Sequence, residues 1–189
     1  NKTSMDQLLD YNIVVTYHIK DPEGAVEEAV LRLKDVGKNV EDKMQSSVPG
    51  LLLVRVSGDP KEAVRSLREF ALKFPEVFIH THRWTPIERW VAPEEGAMIR
   101  AAKDLGVGIR DGDKWKLDLH ARSFKKCSLK DLVCILTDPI DRGKVDLEHP
   151  EKMLVVEVVS DAVGFALVSK DEVFDINKVR EELGLAKIP

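Results

Sequence analysis

Among 189 residues only two are cysteines, Cys127 and Cys134. Seven apart on one expected helix, they cannot close a disulfide across two turns, and a metal site needs more ligands. They are expected to be ordinary buried thiols in the reducing cytosol. Long apolar runs are missing as well, so neither a membrane span nor a secretory leader is expected. The chain has no Gly-x-Ser-x-Gly, no P-loop, no His-Glu-x-x-His and no second carboxylate paired with a histidine. Gly106-Val107-Gly108 lacks the preceding strand and following helix of a dinucleotide site. No catalytic residue, metal or cofactor is therefore expected, and the protein is not expected to be an enzyme.

What is present is an ordered globular composition, 43% hydrophobic and 33% charged, long enough for one large or two small domains. Asn12–Ile19 is β-branched and aromatic and predicts a strand. Asp21-Pro22 caps a helix that Gly37 ends, and Asn39–Met44 suits an edge strand. After the turn at 46–50, Leu51–Val56 is a buried strand. Asp59-Pro60 starts a second helix that Pro75 stops, and Val77–Trp84 closes the series. This is β-α-β-β-α-β, the ferredoxin-like arrangement, expected over residues 1–85. Thr85–Ala92 is expected to be a linker, with the second domain over 86–189. There a helix carries Met98, Ala101, Ala102 and Leu105, and Met153–Val159 and Val163–Ser169 form strands joined at 160–162. Asn177 can cap a closing helix. The fold class is thus α/β (α+β) throughout.

Trp115–Leu147 organises the second half. Trp115, Leu117, Leu119 and Ala121 alternate onto one strand face, and Lys116, Asp118, His120 and Arg122 onto the other. The turn 123–126 follows, with Ser128 and Asp131 forming a capping box before a helix whose apolar side is Leu129, Leu132, Val133, Ile135 and Leu136. Asp138-Pro139 ends it. The net charge is −4, yet between Arg110 and Lys144 nine basic residues face six acidic ones, against twelve and thirteen over residues 1–85. A local basic patch is what a phosphate-backbone surface requires. Its expected centre is Lys116, His120, Arg122, Lys125 and Lys126, with Lys114, Lys130, Arg142 and Lys144 as outer support. Arg122 and Lys125 are each expected to hold about one phosphate.

Other candidates carry less. His80 and His82 share a strand face without a third ligand and are expected to be exposed. Glu157 interrupts an apolar strand and is expected on the wet face of a sheet edge. Trp115 belongs in the core, while Trp84 and Trp90 are expected to join the two halves.

Leu119-His120-Ala121-Arg122, the Lys125-Lys126 turn, the helix to Leu136, Lys144-Val145-Asp146-Leu147-Glu148-His149-Pro150 and Val155-Val156-Glu157-Val158 together resemble the THUMP domain, over about Val91–Pro189. The resemblance implies a tRNA-binding module that follows a ferredoxin-like domain and grips the acceptor stem and 3′ end. In that family a separate domain thiolates, methylates, deaminates or pseudouridylates the RNA. With no room left for such a domain, the chain looks most like the stand-alone proteins that assist tRNA N4-acetylcytidine formation. The implied partners are tRNA and an acetyltransferase, with no membrane and a cytoplasmic location. Two alternatives stand beside it. One is the RNA-binding part of a larger modification enzyme; the other is an unrelated α/β protein that binds another protein or a small molecule.

Overall fold

Two Asp-Pro pairs set the helices of the first unit. In a computed structural model that describes residues 5–122, 124–159 and 161–189, Asp21 and Asp59 each accept a backbone N–H of the first turn, and each following proline takes the first helical position. After a short helix α1 (Met5–Leu8), the chain runs β1 (Ile13–Tyr17), α2 (Pro22–Asp35), β2 (Val40–Gln45), β3 (Leu51–Val56), α3 (Pro60–Lys73) and β4 (Thr81–Pro86). It continues with β5 (Arg89–Val91), α4 (Glu95–Gly106), β6 (Lys114–Ala121), α5 (Leu129–Thr137), β7 (Lys144–Val145), β8 (Lys152–Val159) and β9 (Ala162–Ser169). It ends with β10 (Phe174–Asp175) and α6 (Ile176–Glu182).

These elements form two compact units. One comprises Asp10–Pro86 and Asp171–Pro189. Its antiparallel sheet has the order β10-β4-β1-β3-β2, which is the ferredoxin-like order with one strand added beside β4. The residues from 171 onward thus belong with the first half, where the sequence places them with the second. The reason is apolar: Phe174, Ile176 and Val179 are buried in the same core as Val15, Leu33, Leu67, Phe78 and Trp84. Phe174 meets Phe78 edge-on, with ring centroids 5.0 Å apart.

Glu28 on α2 decides where β4 begins. The residue is only 5% exposed, and its carboxylate accepts the N–H groups of Ile79 (2.6 Å), His80 (3.1 Å) and Thr81 (2.7 Å) and the Thr81 hydroxyl (2.6 Å). Pro75–Val77 is a 3₁₀ turn closed by the Phe78 N–H on the Pro75 carbonyl, and the three N–H groups after Phe78 turn to a side chain, so the expected strand from Val77 starts only at Thr81. Trp84, fully buried in this core, donates its indole N–H to Thr81 Oγ1 at 3.2 Å.

The other unit comprises residues 5–9 and Ile87–Lys170. Its sheet has the order β5-β9-β8-β6-β7, with β6 parallel to β7 and β8 and the remaining neighbours antiparallel. The expected linker therefore contains a strand, β5, short and at the sheet edge because Pro86 and Pro93 flank it. Trp90 on β5 covers Gly164, where a Cβ would lie 2.9 Å from the indole. One face of the sheet packs Leu154, Val156, Val158, Val163 and Phe165 against Met98, Ala101 and Ala102 of α4 and Leu132 and Leu136 of α5. Leu129 and Val133, at the margin of the α5 apolar arc, stay exposed at 59% and 39%, contrary to the sequence expectation. Cys127 is half-buried and Cys134 exposed, so the expectation of two buried thiols fails at Cys134.

Three further expectations meet particular residues. The N-cap of α6 is Asp175 rather than Asn177, whose amide instead brackets Ile188 through both its N–H and C=O. His82 Nε2 lies 2.8 Å from the Pro189 carbonyl and His80 Nε2 3.7 Å from Asp21, so the two histidines take different partners. Among the described residues no group of His, Cys, Asp and Glu could hold a metal. The joint expected at 160–162 falls partly on Ser160, and the turn at 123–126 partly on Ser123, both outside the described residues.

The loop that feeds β6 is fastened by charge. Asp113 accepts from Lys152 Nζ at 2.6 Å and from the Arg110 N–H at 2.7 Å. The Lys152 hydrogen bond, ahead of that N–H, holds its carboxyl below the ordinary range. Asp146, which accepts the His149 and Glu148 N–H groups, is lowered in the same sense. A depressed carboxylate contributes stability above its unfolded pKa, and loses it as pH falls through the folded one. The melting temperature is accordingly expected to drop between about pH 5 and pH 3, and to drop less steeply in Asp113→Asn. Parallel pH profiles for the two proteins would remove Asp113 from that role.

Candidate nucleic-acid interface

β6 supplies the site because its outer edge is open. β7 pairs only with Lys114 and Trp115, and beyond Trp115 no described strand lies on that side. Trp115 is in the core at 2% exposure and donates its indole N–H to the Arg142 carbonyl at 3.1 Å. This contact ties the 142–144 segment to the start of β6. Gly143 makes the turn at φ +69°, where a Cβ would come within 2.7 Å of the Asp113 carbonyl. Lys114 and Lys144 are therefore neighbours in register, both exposed, with Lys114 Nζ 4.0 Å from Asp146.

At the far end of β6 the backbone leads through Arg122 to the exposed Lys125 and Lys126 and into α5. Ser128 caps that helix by accepting the Asp131 N–H at 3.1 Å, as expected. Lys130, in the first turn, is exposed. The positive end of the helix and three exposed lysines thus share one region. Beside them is a cavity of about 330 Å³, lined by Leu119, His120, Ala121, Arg122 and Leu129.

Six of the nine expected contact residues therefore fall into two groups rather than one patch. Lys114, Arg142 and Lys144 gather at the start of β6, and Lys125, Lys126 and Lys130 beyond its end. At about 3.3 Å per residue the strand sets its ends about 23 Å apart. Lys116, His120 and Arg122 lie between, each half-buried.

The strand face between the groups is not the basic one expected. Parallel register sets His120 opposite Glu157 on β8. Glu157 is wholly buried, not on a wet edge, and its Oε2 accepts from Arg122 Nη1 at 2.7 Å. His120 Nε2 lies 3.0 Å from Asp118 Oδ1, yet out of line for a hydrogen bond, and is shielded from solvent. Arg122 and His120 thus each have a carboxylate beside them. Sequence reasoning missed Glu157 and Asp118 as members of the site, and Leu129 as part of its wall. The one available signal was a lone acid inside an apolar strand; its arginine partner depends on β6–β8 register, which no local pattern encodes.

No family model matches the sequence, and no curated protein matches it. Solved structures do match. The crystal structure of PH1313 from Pyrococcus horikoshii Ot3 is similar at a TM-score of 0.57 and 12% identity, over 84% of this chain and 55% of that one. TrmN from Thermus thermophilus is similar at 0.55 and 12%, over 82% of this chain and 44% of that one. A 4-thiouridine synthetase–RNA complex with bound ATP reaches 0.46 and 15%, over 87% and 42%, short of a shared fold. The chain spans about half the length of PH1313 and TrmN. At such identities the likeness is one of fold, the THUMP-type fold that the sequence resemblance implied.

Proposed function

We propose that this chain is a non-catalytic tRNA-binding protein of the cytoplasm. It grips the acceptor stem and 3′ end and presents the tRNA to a modification enzyme, the tRNA cytidine acetyltransferase. The observation that carries RNA binding is the exposed Lys125-Lys126 turn with Lys130, set at the start of α5 beside an open strand edge. A stem is recognised through shape, phosphates and ribose hydroxyls, so cations on a rigid face suffice. The acceptor end and the acetyltransferase come from the THUMP resemblance. The half-length match to PH1313 and TrmN favours a second reading, the RNA-binding part of a larger enzyme that thiolates, methylates or pseudouridylates tRNA.

The test is fluorescence anisotropy with intact tRNA and tRNA lacking its 3′ end, at two salt concentrations. Salt-sensitive binding that needs the 3′ end is expected. Stimulation of tRNA cytidine acetylation when the chain is added to the enzyme would separate the adaptor from the second reading. Absence of binding at low salt would refute both.

A further inference from the structure

We infer that Arg122 reads uncharged groups of the RNA, ribose hydroxyls or base edges, while the exposed lysines alone carry its phosphates. Glu157 is the positioning residue that imposes this division. The inference rests on the proposed RNA surface and assigns separate chemistry to its parts.

The charge geometry carries it. Arg122 and Glu157 stand 2.7 Å apart, with the carboxylate wholly buried, so an approaching phosphate meets a closely spaced opposite pair rather than a free cation. Counterion release follows net neutralisation of phosphates, and a paired arginine adds little to it. The guanidinium nonetheless has five N–H donors, of which Nη1 engages Glu157. With its side chain 22% exposed, it lines the cavity together with His120 and the apolar Leu119, Ala121 and Leu129. Donors, apolar walls and no net charge suit a neutral polar group. Lys125, Lys126 and Lys130, exposed and close in sequence to the residues that line the cavity, suit phosphate.

The experiment measures binding of a hairpin RNA with a single-stranded 3′ overhang, and of the same hairpin with 2′-deoxyribose at the overhang, across a salt series. The proteins are wild type, Glu157→Gln, Arg122→Gln/Glu157→Gln and Lys125→Gln, each checked for folding by circular dichroism and thermal melting. Lys125→Gln should flatten the log–log salt slope by about 0.7–0.9. Glu157→Gln, by freeing the arginine, should steepen it by about the same amount. The double variant, in which both partners are neutral amides, should keep the wild-type slope while losing several-fold in affinity. Loss of the preference for ribose in that variant assigns the hydroxyls, and equal loss on both hairpins assigns the base edges.

A double variant whose slope flattens as much as that of Lys125→Gln would overturn the inference and leave the RNA surface standing. A Glu157→Gln protein that folds and keeps the wild-type slope would do the same. Should that single variant fail to fold, the double variant decides. Wild-type protein that binds neither hairpin would instead remove the RNA surface itself, and this inference with it.

Discussion

Glu28→Ala is expected to destabilise the unit of Asp10–Pro86 and Asp171–Pro189 by about 3 kcal/mol. The carboxylate serves four donors at once, three of them consecutive backbone N–H groups. Once truncated, the Thr81 N–H and hydroxyl remain buried without their acceptor, at about 1–3 kcal/mol for each orphaned group. Ile79 is exposed and recovers its bond from water, which keeps the total below a simple sum. Glu28→Gln should cost less, because its amide oxygen still accepts while the amide nitrogen opposes a donor. Thr81→Val should cost about 1–2 kcal/mol, since Trp84 loses its acceptor as well. Urea unfolding with an unchanged m-value measures all three. A loss below about 1 kcal/mol for Glu28→Ala would mean that water or a side-chain shift replaces the carboxylate.

Removing the cations beyond β6 should have the corresponding effect on binding. Lys125→Gln/Lys126→Gln/Lys130→Gln is expected to lower RNA affinity about 100-fold at physiological salt, and to flatten the salt slope by about 2–2.7. The matched variant at the other end, Lys114→Gln/Arg142→Gln/Lys144→Gln, tests whether the surface runs the full length of the strand. A helical stem lying along β6 would meet both groups, and the two triple variants would then weaken binding alike. A ligand confined to the far end would leave the second variant near wild type. Equal, near-wild-type affinity in both triple variants would move the RNA elsewhere on the molecule.

Local chemistry made most of the fold legible. The Asp-Pro starts at 21 and 59 and the Ser128 cap depend on neighbours in sequence, and all are found. The strand expected through 115–121 is found as well, but its burial does not alternate: Trp115 is buried and residues 116–121 are all half-buried. What local pattern could not carry are contacts closed across sequence distance. Glu28 shortens β4 from 51 residues away, and Glu157 neutralises Arg122 from 35 away. β5 escaped notice because three residues between prolines give no periodicity, and only pairing with β9 makes them a strand. At the site the residue types were readable and their company was not. The lysines of the patch other than Lys116 stand exposed as expected, whereas the strand between them holds acids that charge counting along the chain could only average in.

The return of residues 171–189 to the first sheet also has a consequence in time. A ribosome delivers β1–β4 and then Ile87–Lys170 of the other unit before Phe174, Ile176 and Val179 exist. At roughly 5–20 residues per second, the first sheet must wait about 5–20 seconds for its last strand. During that interval the β4 edge is bare and the core lacks three apolar side chains, while the inserted unit already has every strand of its own. The half of the protein that is made first is thus the half that is finished last.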